Sequence, residues 1–233
     1  MSWLFLNSGK GNAAFNMALD EMLLEKISEI GKPVLRFYGW TQPAATFGYF
    51  QKFSEVERAT HLRPLIRRPT AGGIVPHDAD WTYSFAAPPN HEWHSLAAVE
   101  SYRRIHEWIR DAFAKLKVET ELAPEKKSAI DHRPLAIGSA CFVGHEKSDL
   151  LWRGKKIAGA AQRRNKLGLL IQGSIQPPPI SMARSDWEKA MLEIAHEKFE
   201  VNWQEFSPDE NFWARAQALA RQKYSQNSYH QKR

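Results

Sequence analysis

The run Gly154 to Arg164, GKKIAGAAQRR, limits what this chain can fold into more than any other stretch. With a period of two it reads as a strand: Lys156, Ala158 and Ala160 fall on one face, Lys155, Ile157, Gly159 and Ala161 on the other. The face beside Lys156 carries only methyl groups, and Gly159 removes a side chain altogether. Backbone stripped of bulk next to a cation lets a narrow, negatively polarised group lie close against it. Upstream stands the only cysteine, Cys141, in the run GSACF. A thiol and a lysine on small-residue backbone make a nucleophile-plus-cation pair. The plainer reading is a buried small hydrophobe and a solvated strand edge.

A second run, Arg67 to Asp78 (RRPTAGGIVPHD), pairs two arginines with a glycine turn. Gly72 and Gly73 let backbone N–H groups approach a ligand, and Arg67 or Arg68 supplies a planar donor fork, so an anionic or carbonyl group suits the turn. No Gly-Lys-Ser/Thr follows, which excludes a Walker loop, and the spacing is not a dinucleotide fingerprint. His77 and Asp78 are candidate acid/base groups, although a histidine at a strand end is more often structural. The plainer reading of the whole run is a glycine hairpin with solvated arginines.

One cysteine in 233 residues excludes an internal disulfide framework or a cysteine-based zinc site and fits a reducing cytoplasm. No histidine pair has ligand spacing, so no metal is expected. No apolar run is long enough to span a membrane, and the opening MSWLFLNSGKG is too short for a secretory signal. The formal net charge of +6 is spread along the chain, with a basic tail of Lys223, Lys232 and Arg233. Without a zinc finger, helix-turn-helix or RNA-binding aromatic pattern, nucleic acid is not the expected partner. An acidic protein or an anionic small molecule is.

In chain order, Trp3 to Leu6 predicts a short strand. Asn12 to Ile30 predicts a helix with Phe15, Ala18, Leu19, Met22, Leu23 and Ile27 on one stripe and acidic residues opposite. Pro33 to Trp40, Ala44 to Phe50, Ile74 to His77 and Ala79 to Phe85 read as strands. Ser95 is placed to cap a helix running to about Lys117, with Val118 to Leu122 a strand beyond it. Ala123 to Leu135 is polar and proline-bounded, a candidate mobile loop. Asp149 to Trp152, Lys155 to Gln162 and Leu167 to Ile175 predict three successive strands. Ser185 opens a helix to about Glu197, and Ser207-Pro208-Asp209-Glu210 reads as a capping box for a last helix to about Tyr224. The order predicts one α+β domain over 1–233 with a largely antiparallel sheet flanked by helices, its final residues (222–233) frayed.

Taken together, RRPTAGGIVPHD, GKKIAGAAQRR, NMALDE (Asn16 to Glu21) and the run ending Gly48-Tyr49-Phe50-Gln51 resemble the lipoate/biotin protein ligase superfamily. The likeness is greatest to its lipoate–protein ligase A and octanoyltransferase branch, and the motifs run in order from about residue 12 to 175. The resemblance implies a catalytic domain related to those of class II aminoacyl-tRNA synthetases and biotin protein ligases. It also implies acylation of a specific lysine on a lipoyl domain or the glycine-cleavage H protein. It makes Lys156 the family lysine and places Arg67, Arg68, Ala71, Gly72, Gly73, His77, Tyr49, Gly159 and Ala160 at the substrate, with Phe47, Tyr49, Val75 and the nearby alanines lining an apolar tunnel.

Two chemistries compete within that branch. Octanoyltransferases of the kind found in bacilli take octanoate from acyl carrier protein through a cysteine thioester and need no cofactor. Their cysteine lies in an Ala-Cys-Phe run, matched here by Ala140-Cys141-Phe142, which carries the nucleophile role onto Cys141. A nearby ammonium favours the reactive thiolate, and Lys156 could instead stabilise the oxyanion or deprotonate the acceptor amine. Ligases instead use ATP and magnesium to make lipoyl-adenylate without a protein nucleophile. This chain departs from their usual pattern by Ala71 in the glycine triplet and by Ser148-Asp149 where Asn-Asp is common, and no separate C-terminal accessory domain is expected. It departs from the transferases at Gly73, where a basic residue often stands. A non-catalytic acyl-binding or scaffold member is the third alternative, and biotin ligation a minor fourth. Under the transferase reading the basic charge would dock acidic acyl carrier protein and the acceptor domain.

Overall fold

In the computed structural model, residues 1–124 and 146–232 are described. Cys141, and residues 125–135 of the expected loop, lie outside them. The described residues form an eight-stranded sheet in the order β11-β1-β2-β6-β10-β9-β8-β7 and a three-stranded sheet in the order β4-β3-β5.

The first strand, β1 (Ser2–Gly11), is longer than predicted and lies parallel to β2 (Val34–Trp40). Between them runs α1 (Ala13–Ile30), capped by the Asn12 side chain accepting from the Phe15 amide at 2.9 Å and closed by Gly31. Then come β3 (Ala44–Phe47), the unpredicted short helix α2 (Phe53–Ala59), β4 (Leu65–Arg67), β5 (Val75–His77) and β6 (Trp81–Ala87). Ser95 caps nothing: it ends the short helix α3 (Glu92–Ser95), and α4 (Ala98–Lys115) starts after it without a side-chain cap. Beyond β7 (Glu121–Leu122) come β8 (Leu150–Trp152), β9 (Lys155–Asn165) and β10 (Gly168–Ile175), a meander as predicted. After α5 (Arg184–Phe199) a strand unforeseen in the sequence, β11 (Asn202–Glu205), adds parallel to β1. The next helix, α6 (Glu210–Leu219), is capped by Asp209, whose carboxylate accepts from the Phe212 amide, rather than by Ser207. Pairings among β2, β6, β10, β9, β8 and β7 are antiparallel, so the α+β class holds, with parallel pairing confined to β1 in the large sheet.

Alternation in the central strands divides the molecule into layers. Leu35, Phe37, Phe85, Ile171 and Ile175 pack beneath α4 and α5 with Trp3, Trp93, Trp108 and Trp187 in the main core. The intervening positions, Arg36, Tyr38, Ser84 and Gln172, converge on α1, where they meet Asp20. Asp20 and Glu21 are therefore not on a solvated face as the helical stripe suggested; both are buried. Asp20 accepts from Arg36 (2.6 Å), Ser84 (2.7 Å), Tyr38 (2.9 Å) and Gln172 (2.7 Å), which satisfies both its oxygens.

Glu21 accounts for the second correction, at the tail. It accepts from Lys223 at 2.7 Å and from the Tyr224 hydroxyl at 2.9 Å. Residues expected to fray instead form a π-helical turn (Ala220–Tyr224) and the short helix α7 (Asn227–His230), with Tyr224 and His230 buried. The carboxylate that draws them in lies more than two hundred positions earlier, so local sequence gave no hint of it.

Removing Asp20 would strand the Arg36 guanidinium in a buried site, and breaking a buried pair from one side typically costs about 3–5 kcal/mol. Asp20→Ala is accordingly expected to lower the unfolding free energy by that amount, read as a lower urea midpoint at an unchanged denaturant slope, while the exposed Glu29→Ala stays within about 0.5 kcal/mol.

Candidate active site

Strand β9 does not keep its simple alternation. Leu150 pairs with Ala158 but Leu151 pairs with Lys156, so one extra residue, Ile157, is bulged out of register. Its carbonyl accepts from the Gln176 amide at 2.7 Å, and Ile157 and Ala158 both pack into the main core. The expected grouping of Lys156 with Ala158 and Ala160 is thereby replaced. Lys156 lies across Gly159, where a Cβ would stand 2.8 Å from its Cε and 3.0 Å from its Nζ. Gly159 is glycine because the lysine side chain occupies its place.

Asp149, just before β8, holds that lysine: Nζ and Oδ2 are 2.7 Å apart and both side chains are largely buried. The carboxylate also accepts from the Glu146 amide at 2.7 Å. Ser148 reaches the required geometry through a left-handed backbone (φ +69°), a conformation that Asn adopts more readily than Ser. His106, on the buried face of α4, responds to the same pair. Burial pushes its imidazole down to about 4, Lys156 adds to that shift, and Asp149 opposes it.

Gly159, Ala160 and Ala161 form one wall of a small, largely apolar cavity. Met17 and Tyr38 come to it from α1 and β2, Val75 and His77 from β5, and Gln172 and Ser174 from β10. Arg68 and Gly72 close one end. Gly72 has φ +93°, and a Cβ there would meet the Arg68 guanidinium at 2.7 Å. The turn lies so close on Gly48 that a Cβ at that position would be 2.0 Å from the Gly72 carbonyl oxygen. Arg68 donates to the Ala71 carbonyl (2.6 Å) and approaches the Thr46 hydroxyl (3.4 Å).

Opposite, His77 is fixed on both nitrogens, with Nδ1 2.8 Å from Asp80 and Nε2 2.9 Å from the Thr46 hydroxyl. Its ring stacks on Trp40 at 3.9 Å. Asp80 Oδ2 also accepts from Thr82 and Ser174, so three side chains converge on that one oxygen, while Oδ1 is buried without a hydrogen-bond partner among the described residues.

Of the residues singled out in the sequence, Arg68, Gly72, His77, Gly159 and Ala160 line this one cavity, and Lys156 stands at its glycine wall. Arg67, Tyr49, Ala71 and Gly73 are not among its lining. Arg67 is buried and donates to the carbonyls of Tyr49, Gln51 and His230, which secures the turn from behind. Of the expected tunnel residues Val75 reaches the cavity, whereas Phe47 packs in a separate cluster with Val56 and Leu65. Tyr38, Gln172 and Ser174 were not singled out. Their signal was a polar residue at alternate positions of otherwise apolar central strands. Among the described residues no group of three or more His, Cys, Asp or Glu side chains could hold a metal ion, and no helix is long and apolar enough to cross a membrane.

Over residues 12–184 the sequence matches the lipoyl protein ligase A/B catalytic domain, and the chain belongs to that family. It is 37% identical over 185 residues to octanoyltransferase LipM of Halalkalibacterium halodurans, covering 75% of this chain and 65% of that protein. The chain thus spans somewhat less than two thirds of the relative. Its fold is shared by a lipoate-protein ligase A crystallised with ATP (TM-score 0.77, 19% identity, 99% of each chain). It is shared also by a bipartite lipoate protein ligase of Thermoplasma acidophilum solved with its E2 lipoyl domain (TM-score 0.74, 18% identity, 99% of this chain and 96% of that one).

The buried, neutral His106 carries a pH signature. An unfolded histidine takes up a proton near pH 6.5 and this one only near 4, so the unfolded state binds more protons between those values. Stability is expected to fall by about 3 kcal/mol as pH drops across that window. Urea titrations from pH 7 to 4 should show that limb, and His106→Phe should flatten it.

Proposed function

We propose that this chain is an acyltransferase that moves an octanoyl (or lipoyl) group from acyl carrier protein to a specific lysine of a lipoyl domain or glycine-cleavage H protein, by way of a thioester on Cys141. The observation that carries the reading is Lys156: an ammonium gripped by Asp149 and seated on a residue without a side chain, at the wall of a narrow apolar cavity. The relatives named octanoyltransferase LipM and the Ala140-Cys141-Phe142 run support it. The wall of Gly72, Val75 and Ala161 suits an alkyl chain, and a lysine at its edge suits the carbonyl at the end of that chain.

The chemistry has two balanced steps. Cys141 thiolate attacks the carrier thioester carbonyl; the tetrahedral oxyanion collapses, expelling the carrier thiolate and leaving octanoyl on sulfur. The acceptor lysine amine then attacks that thioester and expels Cys141 thiolate as the amide forms, its proton passing through solvent to the thiolate the carrier released. Lys156 has three N–H donors, and with Asp149 orienting one of them it is suited to donate to the oxyanion in both steps. A thioester donor carries its own activation, so this route consumes no nucleotide. The net charge of +6 suits docking of acidic carrier and acceptor domains, and a free thiol nucleophile suits the cytoplasm.

With octanoyl-carrier protein and an apo acceptor, Cys141→Ser is expected to abolish transfer, and intact-mass spectrometry of the unaltered protein to show an octanoyl adduct. Lys156→Ala should retain the thiol but lose about 10²–10³ in rate, the usual effect of removing an oxyanion donor. Full transfer by Cys141→Ser, or pyrophosphate release from ATP and free lipoate in place of carrier-dependent transfer, would overturn the reading in favour of adenylate chemistry.

A further inference from the structure

The family match ends at residue 184, yet the cavity's glycine turn is braced by residues far beyond it. Arg67 holds the turn from behind, donating to the Tyr49 and Gln51 carbonyls at 2.7 Å each, and its own backbone and guanidinium are held in turn by His230. The Arg67 amide donates to His230 Nδ1 at 3.2 Å, and Arg67 Nη2 donates to the His230 carbonyl at 2.6 Å. On its far side His230 Nε2 lies 2.9 Å from the Tyr224 carbonyl. A carbonyl only accepts and a backbone N–H only donates, so the ring is neutral, with its proton on Nε2 and its lone pair on Nδ1.

The brace reaches the cavity through short links. Gln51 accepts from the Gly48 amide at 2.9 Å, and the Tyr49 amide donates to the Thr70 carbonyl at 2.9 Å. Gly48 packs directly on Gly72, which lines the cavity. Arg67 and Arg68 are consecutive, one gripping the turn from behind and the other closing the cavity end.

We infer that His230 is a positioning residue for the acyl cavity: as a neutral imidazole it clamps Arg67, and through Arg67 it sets the Gly48–Gly72 contact, so the clamp releases when the ring is protonated. A protonated ring presents N–H on both sides, which turns the Arg67 amide from a partner into a repelled neighbour. The charged side chains with a resolved effect on it, Arg67 and Lys232, favour the neutral form. Arg67 faces it from β4, Lys232 and Tyr229 stand on its own turn, Lys223 and Tyr224 belong to the preceding turn, and Arg63 lies across the shared groove. Burial lowers its affinity for a proton; the bond to the Tyr224 carbonyl opposes that, and Arg67 and Lys232 add to it, so on balance release comes below the ordinary imidazole range near 6.5.

Amide hydrogen exchange tests the clamp without reference to activity. With intrinsic rates corrected for pH, the Arg67 amide should lose about tenfold in protection in the unaltered protein as pH falls from 7 to 5. In His230→Ala it should be about tenfold less protected already at pH 7. His230→Asn, whose Oδ1 can accept where Nδ1 does and which cannot be protonated, should keep most of the protection and lose its pH dependence; His230→Gln should not rescue. Equal protection in His230→Ala, or protection independent of pH in the unaltered protein, would overturn the clamp. The positioning role rests on the acyltransferase reading. There, His230→Ala should raise KM for the octanoyl donor about three- to tenfold with kcat nearly unchanged, and Asn should restore it. Loss of protection with KM unmoved would refute the positioning role alone, and normal exchange behaviour in a protein without transfer activity would refute only the acyltransferase reading.

Discussion

A single carboxylate ties helix to sheet in this protein. Asp20 projects from α1 into the layer between helix and sheet and is met there by donors from β2, β6 and β10. Burying a charge is tolerable only when it is paired and fully hydrogen-bonded, and here both oxygens are. Two of its donors, Tyr38 and Gln172, also line the cavity, so the interaction that docks α1 also shapes the pocket floor. Gln172 passes the network on to the Thr70 hydroxyl at 2.7 Å, beside the glycine turn.

Around that floor, side chains are absent where close approach is needed and immobilised where direction is needed. Gly159 leaves room for Lys156, and Gly48 and Gly72 let two turns touch. Asp149 aims the lysine, Asp80 and Trp40 hold His77, and Arg67 anchors the backbone behind the turn. Such mutual support fixes the shape of a small apolar cavity.

Much of this was legible from residue order. The β8–β10 meander and α1 with its Asn12 and Gly31 ends follow from spacing and composition, whereas the convergence of the two small-residue motifs was implied by the family resemblance. What escaped was of two kinds. The parity of β9 depended on a one-residue bulge at Ile157, which no two-residue alternation can reveal. The fate of Asp20, Glu21 and the C-terminal residues depended on partners far off in sequence: Glu21 reads as a surface acid until Lys223 and Tyr224 are placed against it. Strand β11 escaped for a related reason, since its hydrogen bonds come from β1, some two hundred positions away. Ser95 was a sound cap by type, but the chain used it to end one helix rather than to begin the next.

The account turns on where an acyl carbonyl comes to rest. A crystal structure of the protein after exposure to an octanoyl thioester reads this directly. The chain should lie between Gly72, Val75 and Ala161, with its carbonyl oxygen within hydrogen-bond distance of Lys156 Nζ. An alkyl chain found instead in the cleft beside Trp152 and Arg153, with nothing in the cavity that Gly159 borders, would contradict it.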